Sequence, residues 1–195
     1  MTPQRFERLH NVLDHRQPDL TVVLENVFDP HNVSAVMRTC DAVGIQDVYI
    51  LNTRIAPHKK WGYRSSSTAS EWLTIHQFAD IEACMAEVKK KYRRILSSYL
   101  AEASQPMHSI DFTEPIALVF GNETFGVSEE LRRFTHGEFI IPQVGIIKSL
   151  NISVACAVTL YEAYRQKNNR HHYDSPRLPV ADRQQLEERW KLDHR

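Results

Sequence analysis

The chain has 195 residues, and its 24 basic and 24 acidic side chains cancel to a formal net charge of zero. That length holds one sizeable α/β domain with terminal extensions and excludes two full catalytic domains. The neutral balance counts against a protein that coats nucleic acid without selectivity. No apolar run is long enough to span a bilayer, and the first residues lack the apolar core of a signal peptide, so a cytoplasmic location is expected.

In chain order, the pattern predicts a helix over residues 3–15 and a buried strand over 20–24. Asn32 offers an N-cap for a helix whose Val33, Val36, Met37 and Cys40 share one face, and Gly44 stops it. A strand follows over 47–51. Residues 52–70 show no period and are rich in Ser, Thr, Lys and Arg, a composition that suits a functional loop. A helix over 81–92 ends in lysines, which suits the helix dipole. Strands are read over 94–100 and 115–120. Ser128 caps a short helix over 129–134, a buried strand covers 138–141, and a long helix runs from about 150 to 166. The tail from residue 168 is polar and ends in a helix over 180–192. Alternating strands and helices define an α/β sheet with helices on its faces.

Cys40, Cys84 and Cys156 are far apart in helix-like stretches and read as buried thiols, with no metal site predicted. His136-Gly137-Glu138 fits half of a zinc deaminase signature, but the P-C-x-x-C half is absent. Positive charge gathers at Arg5, Arg8 and Arg16, at Lys59, Lys60 and Arg64, and at Arg165, Lys167 and Arg170. These segments are either solvated surface or nucleic-acid contacts.

Three junctions carry candidate chemistry, each where a strand meets a helix, the place where α/β sheets put their sites. In the first, Asn32 to Cys40, Arg38 falls off the apolar face beside Ser34 and Asp41. It is either a surface ion pair or a guanidinium held to grip phosphate. The second, Gly121-Asn122-Glu123-Thr124-Phe125-Gly126-Val127-Ser128, has P-loop glycine spacing, but Val127 replaces the required lysine, so triphosphate binding is rejected. The third runs from Ile141-Pro142 through Ser149-Leu150-Asn151-Ile152-Ser153 into a helix. Three polar residues at that opening exceed what one cap requires. No G-x-G-x-x-G occurs, which removes a Rossmann dehydrogenase.

Taken together, in this order and spacing, the three segments resemble the three motifs of the SpoU (TrmH) RNA ribose methyltransferases of the SPOUT superfamily, over roughly residues 16–166. The resemblance is closest to the branch that methylates the D-loop guanosine of tRNA, through Arg16-Gln17-Pro18-Asp19-Leu20, Pro30-His31-Asn32, Arg38-Thr39-Cys40-Asp41-Ala42-Val43-Gly44 and Tyr161-Glu162-Ala163-Tyr164-Arg165-Gln166. It implies a mostly parallel sheet with a C-terminal deep trefoil knot, a homodimer, S-adenosyl-L-methionine as cofactor, and RNA rather than DNA or membrane as partner. It implies a methyltransferase domain over 18–167, with a helical extension over 1–17 and a tail over 168–195. Residue by residue, Asn32, Arg38, Glu123, Ser149 and Asn151 match the catalytic set. Ser98, Gly121, Ile141 and Leu150 match the cofactor contacts. Ribosomal RNA, another tRNA position, and a catalytically silent RNA-binding knot protein are the alternatives.

Overall fold

The computed structural model describes residues 1–58, 69–147 and 149–192. The chain runs α1 (Pro3–Asp14), β1 (Leu20–Glu25), α2 (Pro30–Ala42), β2 (Asp47–Leu51), α3 (Ala69–Trp72), β3 (Thr74–Phe78), α4 (Ile81–Lys91) and β4 (Arg94–Ser98). It continues through β5 (Gln105–Pro106), a 3-10 turn (Met107–Ser109), β6 (Ile116–Phe120), α5 (Glu129–Arg132), β7 (Glu138–Ile140), α6 (Ile152–Asn169) and α7 (Val180–Arg189).

The strands form one seven-stranded sheet in the order β3-β2-β1-β6-β4-β7-β5, and every pairing is parallel. A parallel sheet must be covered on both faces. Successive strand residues point to opposite faces, and the side chains sort accordingly. Val22, Leu24, Ile50, Leu118 and Phe120 pack with Val36 and Met37 of α2 and Cys156 and Leu160 of α6. Val23, Tyr49, Ile95 and Val119 pack on the other face with Cys84, Met85 and Val88 of α4. The chain ends share a third cluster, in which Leu9 and Leu13 of α1 meet Leu186, Trp190 and Leu192.

Buried charge ties this frame together. Arg16, fully buried, donates to Asp41 at 2.8 Å and to the Ile45 carbonyl at 3.0 Å, while its guanidinium lies 5.6 Å from the Trp190 ring centroid. Lys167 is equally buried, its Nζ 2.7 Å from Asp19 Oδ1, and Arg177 approaches Asp19 Oδ2 at 2.9 Å. Burial pulls the Lys167 pKa below its ordinary value, with Asp19 opposing. Two residues counted among the basic clusters are therefore internal fasteners.

Other expectations are corrected. The helix at Asn32 begins earlier: Pro30 occupies its first turn and Asp29 is the cap, its carboxylate accepting from the His31 N–H at 2.8 Å. The long helix starts at Ile152 rather than near 150 and runs on to Asn169. The strand at 94 ends at Ser98 and the helix at 129 ends at Arg132. Strands β3 and β5 and helix α3 were not anticipated. Gly44 does stop α2, at φ +84°, where a Cβ would sit 2.4 Å from the His15 carbonyl oxygen. All three cysteines are buried free thiols, and burial raises each of their pKa values, that of Cys84 to about 12. No described helix is long and apolar enough to cross a membrane.

Candidate functional site

Parallel strands send all their carboxyl ends to one edge, where the loops after β1, β2, β4, β6 and β7 meet. Register places Leu24 beside Phe120 and Glu25 beside Leu51. Asn26, at φ +48°, turns the chain out of β1. Its side-chain oxygen accepts from the Thr53 and Arg54 N–H groups, both at 2.9 Å, and its carbonyl accepts from Asn122 Nδ2 at 2.8 Å. Glu25 accepts from the Ser128 N–H at 2.8 Å and its hydroxyl at 2.5 Å. The loops after β1, β2 and β6 are thus tied to one another by side chain to backbone bonds.

The loop after β6 closes on itself. Asn122 and Gly126 exchange backbone hydrogen bonds at 3.1 and 2.9 Å, and Asn122 Oδ1 accepts from the Thr124 and Phe125 N–H groups. A Cβ on Gly121 would lie 2.1 Å from the Gly126 carbonyl carbon and 2.2 Å from the Val127 nitrogen. Glycine at 121 is therefore required by backbone packing.

The closed loop presents Glu123 to the start of α2. Because Asp29 does the capping, the Asn32 amide is available elsewhere. Asn32 Nδ2 donates to Glu123 Oε1 at 2.9 Å, and Asn32 Oδ1 accepts from Asn151 Nδ2 at 3.2 Å. The Phe28 N–H adds a long bond to Glu123 Oε2 at 3.4 Å. Asn151 is the N-cap of α6, its own oxygen accepting from the Ser153 N–H at 2.8 Å and hydroxyl at 2.6 Å. One chain of side-chain amides and a carboxylate thus joins all three predicted junctions. Arg38 stands exposed further along α2.

Beside this chain lies a cavity of about 520 Å³. Ser98, Ile141, Ser149 and Leu150, all singled out from the sequence, contribute to its wall. So do Gly126 of the second junction and Tyr99 and Phe139, for which the sequence carries no site signal. At the β6 loop Gly126 faces the cavity, while Gly121 supports it from behind. The volume and the mixture of aliphatic, aromatic and a few polar groups suit one small organic ligand.

Of the expected basic clusters, Lys59, Lys60 and Arg64 lie outside the described residues, as does the middle of the 52–70 stretch. Arg5, Arg8, Arg165 and Arg170 are exposed, and Arg165 forks onto Glu162 at 2.9 and 2.8 Å. The lysines that end α4, Lys89, Lys90 and Lys91, together with the following Arg93, are exposed and dense in charge.

A doubly covered parallel sheet with a ligand cavity and a polar cluster at its carboxyl edge defines a ligand-binding α/β protein of the enzyme type. The family model for the SpoU rRNA Methylase family matches residues 19–161, and the chain belongs to that family. It is 40% identical over 178 residues to the tRNA (guanosine(18)-2'-O)-methyltransferase of Thermus thermophilus, covering 91% of this chain and 90% of that one. It is 36% identical over 190 residues to the enzyme of the same name from Escherichia coli, covering 95% and 81%. Among solved structures it resembles the A. aeolicus TrmH/SpoU tRNA modifying enzyme, with TM-score 0.88, 34% identity and 98% of each chain covered. The AdoMet-bound rRNA methyltransferase from Sinorhizobium meliloti matches at TM-score 0.68 and 26% identity, covering 80% of this chain and 59% of that one.

Proposed function

We propose that this protein transfers a methyl group from S-adenosyl-L-methionine to a ribose 2′-hydroxyl of RNA, with the D-loop guanosine of tRNA as target. The observation that carries this reading is the Asn151–Asn32–Glu123 chain, which joins segments 119 and 91 residues apart at the carboxyl edge of the sheet. The names and high coverage of the tRNA-acting relatives support the target.

The cavity fits the cofactor. Its aliphatic and aromatic wall suits a nucleoside, while Ser98, Gln143 and Ser149 supply polar contacts for the rest. When bound, the cofactor supplies an electrophilic methyl group on a sulfonium. Ser98, Ile141 and Leu150 hold it, with Gly121 fixing the loop that carries Gly126. The chain's own residues then position the nucleophile. Arg38 is assigned to the phosphate next to the target ribose rather than to proton removal, because a guanidinium keeps its proton far above neutral pH. Glu123 and Asn32 are assigned to hold the start of α2, the helix that carries Arg38, while Asn151 and Ser149 are assigned to orient the ribose and the backbone before α6. This is catalysis by positioning.

A second copy of the chain completes the assembly in this reading. Val154, Val158 and Tyr161, at helical spacing along α6, are 47%, 39% and 55% exposed and make an apolar stripe that a homodimer would cover. The knot, the catalytic unit over 18–167 with accessory ends, and a cytoplasmic setting belong to the same proposal. The exposed Lys89, Lys90 and Arg93 give the RNA backbone a local landing surface on a molecule of zero net charge.

The test is transfer of labelled methyl groups to unmodified total tRNA and, separately, to ribosomal RNA, followed by mapping of the modified ribose. Label at the D-loop guanosine is expected. Label in ribosomal RNA alone sinks the tRNA target, and cofactor binding without any transfer makes the chain a silent RNA-binding module.

A further inference from the structure

We propose that Tyr99 is a cofactor-contacting residue whose ring packs against the adenine, and that Arg132, braced by Glu138, is the positioning residue that holds that ring in place. The proposal rests on the cofactor reading above and deepens it.

Tyr99 follows the last residue of β4 and enters the cavity wall. Its backbone is fixed on both sides: its N–H donates to the Phe139 carbonyl at 3.1 Å, and its carbonyl accepts from the Ser104 hydroxyl at 2.7 Å. The ring is fixed too. The Arg132 guanidinium carbon lies 3.8 Å from the ring centroid, a close cation–π contact. Arg132 Nη1 in turn meets Glu138 Oε1 at 2.7 Å, and both side chains are half-buried. Glu138 sits in β7 opposite Ser97 of β4, so the brace is anchored in the sheet itself. Ring carbons of Tyr99 also lie 3.8 and 4.0 Å from where a Cβ on Gly126 would be, which seats the ring against the β6 loop.

A half-buried tyrosine at the rim of a cavity needs no such support to remain folded. A ring backed by a cation and with one edge near Gly126, in a wall shared with Leu100, Phe139, Ile140, Ile141 and Leu150, is a preorganised flat surface for a flat heterocycle. Arg132 does not line the cavity among the described residues, so it acts through the tyrosine.

The experiment measures binding of S-adenosylmethionine and S-adenosylhomocysteine by calorimetry, together with thermal melting, for the native chain and for Tyr99→Phe, Tyr99→Leu, Arg132→Met and Arg132→Lys. Tyr99→Phe is expected to bind within about two-fold of native, and Tyr99→Leu about ten-fold more weakly. Arg132→Met is expected to weaken binding about three- to ten-fold, with partial recovery in Arg132→Lys. Both ligands should weaken equally, because they share the adenosine. In turnover, KM for the cofactor should rise while kcat at saturation stays within about two-fold. Native affinity in Tyr99→Leu overturns the contact, and native affinity in Arg132→Met overturns the brace. Loss confined to S-adenosylmethionine overturns the adenine assignment, since the ring would then face the sulfonium. Failure of the native chain to bind either ligand instead removes the underlying cofactor reading.

Discussion

Replacing Asn32 with alanine removes two bonds at once, the one it gives to Glu123 and the one it takes from Asn151. The helix should not suffer, because Asp29 caps it and alanine is the best helix former. A hydrogen bond to a charged group is worth about 1.5–3 kcal/mol and a neutral one about 1 kcal/mol. In this open site the lower ends apply, so about 2 kcal/mol is lost if both bonds act in the transition state. That is roughly a thirty-fold fall in kcat. Asn32→Asp should be worse than alanine, because it sets a second carboxylate where the amide donated to Glu123. Repulsion of at least about 1 kcal/mol adds about a further five-fold loss. Asn32 is set apart from the cavity, so cofactor affinity should stay native in both variants. The assay is single-turnover methylation of tRNA with cofactor binding measured in parallel. An aspartate variant as active as native, or a loss that falls on cofactor affinity instead of kcat, would refute the idea that this chain positions the reacting groups.

Arg38→Lys keeps the charge and loses the planar fork, so turnover should fall about ten-fold or more with an unchanged pH profile; near-normal turnover ends the phosphate-clamp assignment. Lys167→Met removes one partner from buried Asp19, which keeps Arg177. Urea unfolding should show a loss of about 2–4 kcal/mol, below the full cost of an orphaned buried charge, and a change under about 1 kcal/mol would contradict it. The Arg165 and Gln166 hydrogen bonds hold the Glu162 carboxyl down at about 2 against an ordinary 4.5. A depressed folded pKa means its contribution is whole above about 4.5 and is lost as pH falls toward 2. The stability gap between native and Glu162→Gln should therefore close across that window, and a carboxyl titrating near 4.5 by NMR would rule it out.

What could be read from the sequence followed local physics. Strands β1, β2 and β6 are buried on both faces and appear as near-continuous apolar runs, interrupted only by Thr21 and by Glu25 and Asp47 at strand ends. Strand β3 sits at the edge of the sheet with its residues half-covered, and Thr74-Ile75-His76-Gln77-Phe78 lacks that signature. Arg16 and Lys167 were counted as surface charge because their partners are distant in sequence. A signal existed for Lys167: it continues the α6 stripe of Cys156, Leu160 and Ala163. The misplaced cap at Asn32 also had one, since Asp29-Pro30 is a cap followed by a first-turn proline. The candidate residues of the polar chain were legible through motif order, but their mutual bonds were not, because register and loop closure decide them. Tyr99 had no local signal at all. Its significance comes from Arg132 and Glu138, more than thirty residues away.

The span of the Asn151–Asn32–Glu123 chain has a consequence for how the protein matures. Its bonds close sequence separations of 119 and 91 residues, so no fragment emerging early in synthesis contains the site. Contacts this distant form late and slowly. The cavity wall draws on β4, the β6 loop, β7 and the start of α6, so a ligand there binds only the finished topology. Bound cofactor must then add RT ln(1 + [L]/Kd) to the stability of the complete fold and nothing to its precursors. The cell's cofactor level then favours chains whose last elements have docked.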